Sequence, residues 1–272
     1  HDIAHAEPVY INAAAINSWS DEHHAGASYG SYINDKEYQE RRPVLLVSAN
    51  DGMLHCFDAN SGNELWAFVP WDIVPKLKEL ASPVYDRLRT PTVDLKPAVF
   101  DVCESPCDDV GDWTTRLIVG SREGGDTYWA FDIRPPSKHL APEFKWYFSD
   151  DDLGLTYSLP VVGRFKSNSD NPPDSEWLVF FGSGYARHSA GQMTKKGYFY
   201  ALNMFCDPSG GNKLNNCGLD GGTWNDSSQK ILISNTSVAG VATDFDNNVL
   251  SDPIVADRLD ADGNSTADGF ED

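Results

Sequence analysis

The chain has 272 residues and a formal charge of −20, from 21 Lys and Arg against 41 Asp and Glu. So acidic a chain lacks the basic footprint that nucleic-acid phosphates or an anionic membrane surface require, and it holds no run of about 18 apolar residues that could span a bilayer. Its length permits one large domain or two ordinary ones, and 40% hydrophobic with 12% aromatic residues supplies a core. It opens His1-Asp2-Ile3 without Met or a signal peptide, as expected of a processed chain or of a window cut from a longer one.

In chain order, the first strand signal is Pro8-Val9-Tyr10-Ile11. A polar stretch containing His23-His24 follows, then the runs Pro43–Ser48, Leu54–Asp58 and Glu64–Phe68. Short runs rich in Val, Tyr, Phe and Trp, bounded by Gly, Asp, Asn, Ser and Pro, are strand signals. Asp51-Gly52 reads as a hairpin turn in which glycine supplies a positive φ, and Asn60-Ser61-Gly62 turns the chain again. Leu54, Cys56, Trp66 and Phe68 are placed to share buried faces, with Cys56 a buried free thiol acting as a small hydrophobe. His55 alternates with these core positions and reads as structural. Ile73–Leu80 is the one helix signal, about two turns long.

A second set of strands follows: Pro97–Phe100, Thr115–Gly120, Tyr128–Asp132 and Phe144–Phe148, with the glycine-rich Gly120–Gly125 as a hairpin turn. A third set is Pro160–Gly163, Trp177–Gly182, Phe199–Asn203 and Lys230–Ser234, and Pro253-Ile254-Val255 starts a fourth. The same four strands in the same order, repeated, describe the blade of a β-propeller; a β-sandwich also has short strands but no reason to repeat them in sequence. The expectation is an all-β chain: a β-propeller of four-stranded antiparallel blades with long insertions, incomplete in this chain. Full blades are expected at 8–68, 91–148 and 160–234, with the start of a fourth at 253–272. Propellers have at least four blades, so partner chains or further sequence would complete the ring.

Two cysteine pairs lie in polar, turn-forming loops: Cys103 with Cys107, and Cys206 with Cys217. Such loops have little to bury, and a disulfide would add roughly 2–3 kcal/mol to each. Two local disulfides and an oxidising compartment are the expectation. A zinc site is the alternative, for which Cys206 and Cys217 are too far apart.

The segment Asn50–Pro70, with its pattern Asp-Gly, aromatic-Asp-Ala-Asn-Ser-Gly and Trp66, is a blade motif found in quinoprotein dehydrogenases and outer-membrane assembly propellers. A wider set of segments is more specific: Asp2–Tyr10, Arg42–His55, Phe68-Val69-Pro70, Thr90-Pro91-Thr92-Val93, Trp113–Gly120, Leu153–Arg164 and Phe181–Tyr185. Together they resemble the C-terminal propeller of the PilY/PilC family of type IV pilus tip-associated assembly factors and adhesins. The resemblance runs from residue 2 to the C-terminus. The cysteine loops and the stop at Asp272 depart from it.

Near the end, Asp260, Asp262, Asn264 and Asp268 place oxygen side chains at positions 1, 3, 5 and 9 of a loop, the spacing of an EF-hand-like calcium site, with Thr266 offering its backbone carbonyl. A solvated acidic loop is the alternative. The family carries a calcium loop of pattern DxDxDGxxD at this place, so the resemblance implies Ca2+ held by Asp260, Asp262, Asn264 and Asp268. Asn264 and Ser265 stand where the family pattern has Asp and Gly.

No HExxH motif, Walker loop, nucleophile elbow or CxxCH appears. The resemblance therefore implies a non-enzymatic, calcium-binding assembly and adhesion module, exported to the pilus tip or outer-membrane surface. It would meet pilins or minor pilins and a host or abiotic surface, and regulate pilus extension and retraction. A pyrroloquinoline-quinone dehydrogenase-like propeller is the enzymatic alternative, though no adjacent Cys-Cys occurs. A scaffold of the outer-membrane assembly type is a third.

Overall fold

Each of the first three Pro-led starts enters a four-stranded antiparallel sheet. The computed structural model describes residues 3–19, 29–82, 91–104, 107, 109–134, 141–166, 175–185, 197–205, 219–220, 223–224, 229–233 and 252–254. The first sheet is β1 (Val9–Ile11), β2 (Val44–Ala49), β3 (Met53–Asp58) and β4 (Glu64–Phe68), hydrogen-bonded in chain order. The second is β5 (Ala98–Cys103), β6 (Trp113–Gly120), β7 (Tyr128–Asp132) and β8 (Glu143–Phe148), again in chain order. The third contains β9 (Val161–Lys166), β10 (Ser175–Gly182) and β11 (Gly197–Asn203). A short hairpin, β12 (Leu219–Asp220) with β13 (Thr223–Trp224), precedes its outer strand β14 (Gln229–Ile233).

Proline suits the position just before a first strand. It lacks an N–H, and the first strand of each sheet is an edge whose outer side has no ladder to complete. The hairpin expected at Asp51-Gly52 forms with Gly52 at φ +98°, and Gly62 turns at φ +74°. Leu54 pairs with Phe68 and Cys56 with Trp66, so the four residues read as sharing a face do share one. A register shift falls at the same place in two sheets, between Cys56 and Phe57 and between Ala130 and Phe131. Such bulges add twist to the outer strand pair.

The sheets stack face to face, as propeller blades do. β6 and β7 are buried at every residue, because the second blade is covered on both sides. Alternation sends Leu117, Val119, Trp129 and Phe131 toward the first blade, and Ile118, Tyr128 and Ala130 toward the third. Each fully buried leucine in these seams, such as Leu54 or Leu117, contributes ~1.5–3 kcal/mol. The chain is all-β in its blades, and the long insertions expected from the sequence lie between strands.

Two insertions carry helices. The β1–β2 connection holds α1 (Tyr29–Asn34) and α2 (Lys36–Gln39), which the sequence reading passed over. Helices this short show no 3.6-residue periodicity. Asp35 caps α2 by accepting from the Glu37 N–H at 2.8 Å, and the buried faces of both helices consist of Tyr29, Tyr32 and Tyr38. The expected helix after β4 is present as α3 (Val74–Leu80), with Pro75 in its first turn. Leu77 of α3 lies 2.6 Å from where a Cβ on Gly52 would sit, so that turn needs glycine for space as well as for φ.

The start expected at Pro253 is not a strand over its described residues. Asp252, Pro253 and Ile254 lie outside any sheet and Ile254 is exposed. Asp252 accepts from the Leu159 N–H at 2.6 Å, just before β9. A strand exists only through its neighbour, and no described segment pairs with these residues.

Candidate functional site

The segment before each first strand and the turn between each second and third strand meet on one face of the blades, where a threonine latches neighbouring blades together. Ahead of β5, the Thr92 N–H donates to Asn50 Oδ1 in the β2–β3 turn at 3.0 Å, and its hydroxyl donates to the carbonyl of Ala49, the last residue of β2, at 3.3 Å. Ahead of β9, Thr156 Oγ1 accepts from the Ser121 and Arg122 N–H groups at 2.9 Å each and donates to the Gly125 carbonyl at 3.1 Å. Gly124 packs on the Thr92 backbone and Gly184 on the Leu155 carbonyl so closely that neither could carry a side chain. Gly124, read as a hairpin residue, and Gly184 thus also let a blade's turn touch the main chain of the segment that leads into that blade.

Between the first two latches lies a buried carboxylate. Asp94 Oδ2 is 2.5 Å from His5 Nδ1 and 3.5 Å from an Arg122 Nη1; Asp94 Oδ1 accepts from the His5 N–H at 3.1 Å and from Asn50 Nδ2 at 3.3 Å. A carboxylate out of water needs this many partners. Arg122 is in the left-handed region at φ +51°, a conformation that costs a non-glycine residue ~1–2 kcal/mol. It persists because its N–H is held by Thr156. The guanidinium carbon lies 5.0 Å from the Tyr157 ring centre, and Tyr157 meets Tyr185 edge to face at 5.0 Å. Burial raises the Tyr157 phenol above its ordinary range, with the Glu123 charge adding to the effect. His5, Asp94, Arg122, Tyr157 and Tyr185 therefore form one polar and aromatic stripe across three blades.

The inner edges of β1, β5 and β9 face a common cleft of about 450 Å³, lined by Val9, Ile11, Ala98, Phe100, Leu159 and Val161. At its mouth Lys96 pairs with Glu7 at 2.7 Å.

On the opposite face the β1–β2 insertion crosses from its own blade to the next two. Tyr29 and Tyr38 hydroxyls both donate to Asp101 Oδ2, at 2.6 and 2.8 Å, and the Thr115 hydroxyl donates to Oδ1 at 2.7 Å. Trp19 Nε1 donates to the Asp101 carbonyl, and the Asp101 N–H donates to Asn17 Oδ1, each at 2.7 Å. Burial, and then the Asp101 charge, push the Tyr38 phenol up to about 12 and the Tyr29 and Tyr32 phenols further in the same direction.

Of the residues read from the sequence as sites, Cys103 and Cys107 are disulfide-bonded. Both are buried, and Trp177 Nε1 lies 3.4 Å from Cys103 Sγ. Cys206 and Cys217 lie outside the described residues, as do Asp260, Asp262, Asn264, Thr266 and Asp268. Among the described residues, no three His, Cys, Asp or Glu side chains are grouped to hold a metal ion, and no helix is long and apolar enough to cross a membrane. Cys56 is a buried free thiol, as read from its strand position, and burial raises it to about 12. His55 lies between two carboxylates, 2.6 Å from Glu64 and 3.0 Å from Asp51. The sequence reading missed Asp94, Asp101 and Arg122 as organising residues. The available signal was the repeat of Thr92-Val93-Asp94-Leu95 in Thr156-Tyr157-Ser158-Leu159, ahead of successive Pro-led strands.

Stacked four-stranded blades with latches between them define a β-propeller protein whose turn-bearing face carries the clustered polar and aromatic side chains. No family model matches the chain. A Type IV pilus biogenesis factor PilY1 homolog from Xylella fastidiosa is 31% identical over 184 residues, covering 67% of this chain and 14% of that protein. PilY1 of Pseudomonas aeruginosa strain UCBPP-PA14 is 31% identical over 189 residues, covering 68% of this chain and 15% of its own length. The crystal structure of the Pseudomonas aeruginosa PilY1 C-terminal domain aligns with a TM-score of 0.45 at 28% identity, over 65% of this chain and 30% of that one. The chain belongs to the PilY1 family and spans about a seventh of the length of these curated relatives.

Proposed function

We propose that this propeller segment serves type IV pilus biogenesis as a calcium-binding assembly and adhesion module at the pilus tip. The observation that carries the reading is the similarity, over two thirds of the chain, to proteins named as type IV pilus biogenesis factors. Three further points support it. The cysteine pair at Cys103 and Cys107 is oxidised, which suits an exported protein. The loop at Asp260–Asp268 has calcium-ligand spacing. The latched face offers a rigid surface on which turns are held in register. In this reading Ca2+ orders the acidic loop through Asp260, Asp262, Asn264, Asp268 and the Thr266 carbonyl. The ordered loop then changes how the protein engages pilins or minor pilins and an external surface, and so sets extension against retraction.

Two measurements test it. Deleting the gene from the organism that makes the protein should sharply reduce surface pili; normal piliation would overturn the pilus role. Calcium titration by calorimetry should show binding that Asp262→Ala weakens ~10-fold or more, as expected when one of three carboxylates leaves a hard-cation site. Equal affinity in the two proteins sinks the ligand assignment.

A further inference from the structure

The stripe on the latched face combines features that the latches do not use. His5 spends Nδ1 on Asp94, which leaves Nε2 as the second polar atom of a side chain that is 53% exposed. Arg122 has its side chain 26% exposed, and its only charged partner among the described residues is Asp94 at 3.5 Å, beyond hydrogen-bond length. Most of its five N–H donors are therefore unspent among the described residues. Next to it stand two tyrosine rings, of which Tyr185 is 52% exposed. Glu123 is exposed beside them and adds acceptors.

We propose that this stripe is a binding site for an uncharged sugar, a pyranose. One side of such a ring is a patch of C–H groups with partial positive charge, which suits the electron-rich face of an exposed tyrosine. The rim of the ring is hydroxyls, each both donor and acceptor, which suit the guanidinium of Arg122, His5 Nε2 and the Glu123 carboxylate. The supports are rigid. Asp94 fixes the imidazole, Thr156 fixes the Arg122 backbone, and the close packing of Gly184 on Leu155 and of Gly154 on the Tyr185 carbonyl fixes the loop that bears Tyr185. An anionic sugar fits less well, because Asp94 already neutralises Arg122, Glu123 stands alongside, and the chain carries −20 overall. The site stands on geometry alone. Sugar binding would be detected whether or not the chain serves a pilus.

The test is saturation-transfer NMR and calorimetry on the whole chain with N-acetylglucosamine, galactose and mannose. Glucuronate serves as the charged arm and sorbitol as an acyclic polyol without a ring face. At least one neutral pyranose should bind and sorbitol should not. Tyr185→Ala and Arg122→Asn should each weaken binding ~10-fold, the usual cost of losing an aromatic or arginine anchor. Tyr185 is a surface residue, so Tyr185→Ala should melt as the wild type does. Asparagine tolerates the left-handed backbone at position 122, but Arg122→Asn takes the guanidinium from the buried Asp94 and should melt lower, so its binding is measured well below its own melting temperature. Tyr185→Phe should bind within about twofold of wild type, since it keeps the ring. Failure of all three neutral sugars to bind would overturn the site, and so would unchanged affinity in Tyr185→Ala. Tighter binding of glucuronate than of every neutral sugar would overturn its stated chemistry.

Discussion

The cores of the two seams between blades are built on different principles, although each seam is latched by a threonine at the turn-bearing face. The seam between the first and second blades is a hydrophobic stack of Leu46, Leu54, Leu117, Val119, Trp129 and Phe131. Two of its buried polar atoms, Trp129 Nε1 and Ser48 Oγ, have no hydrogen-bond partner among the described residues. The seam between the second and third blades is aromatic and cross-linked by directional bonds. Tyr128 donates to the Ser158 carbonyl at 2.6 Å and Trp146 Nε1 to the Met204 carbonyl at 3.0 Å. The β1–β2 insertion closes it from one face through Trp19, Tyr29 and Tyr32, with the Cys103–Cys107 disulfide beside them. Apolar burial supplies free energy without much direction, whereas hydrogen bonds at fixed geometry decide which arrangement is unique. Both seams carry directional bonds at the turn-bearing face, through Thr92 and Asp94 in the first and Thr156 in the second. Within the cores only the second does, so its core specifies the angle between its blades more narrowly than the core of the first.

The largest test of this contrast is Trp113→Ala. Trp113 is 1% exposed and touches Tyr29, Tyr32 and Trp177, so it joins the insertion to both blades. Urea unfolding should show a loss of ~3–5 kcal/mol. A loss of only about 1 kcal/mol would mean that the insertion merely lies on the seam.

A sharper test compares two indoles. Trp146→Phe and Trp129→Phe remove similar volume, but the first also abandons a bond to Met204 and the second removes an unpaired buried N–H. Trp146→Phe should therefore cost more, by ~1 kcal/mol, in the same unfolding experiment. Equal costs would erase the distinction between the seams.

A third effect is in alkali. The Tyr38 phenol rises from 10.0 to about 12 in the folded chain, through burial first and the Asp101 charge second. The folded state holds this proton more tightly than the unfolded state. The stability it confers is complete below pH 10 and is lost as pH rises through about 12. Urea midpoints measured between about pH 9 and about pH 12 should fall less steeply in Tyr38→Phe than in the wild type. Parallel curves would show that this hydroxyl does not report on the docked insertion.

The legibility of the sequence follows the same division. Each strand of the three sheets can be read from its own residues, because period-two alternation and Gly, Pro or Asn punctuation are local properties. The strand signal at Thr115–Gly120, for example, lies within β6, with only Trp113 and Thr114 added at its start. The short helices of the β1–β2 insertion were not legible. Tyr29, Tyr32 and Tyr38 are ordered by Asp101 and Trp113, some 60 to 85 residues away, and nothing in their own segment shows that partner. Asp94 was passed over for the same reason: its partners come from before β1, from the β2–β3 turn and from the β6–β7 turn.

The sequence by itself determined the strands, the order of the repeat, the two tight glycine turns, the buried thiol at Cys56 and the disulfide candidate at Cys103 and Cys107. All of these depend on spacing within about a dozen residues, where chain geometry leaves few alternatives. Only the tertiary structure decided which blade faces which. It also decided that Thr92 and Thr156 act as latches, and that His5, Arg122, Tyr157 and Tyr185 lie on one stripe. Those pairings arise when separate sheets stack, and the burial of apolar faces that drives stacking does not by itself say which turns will meet.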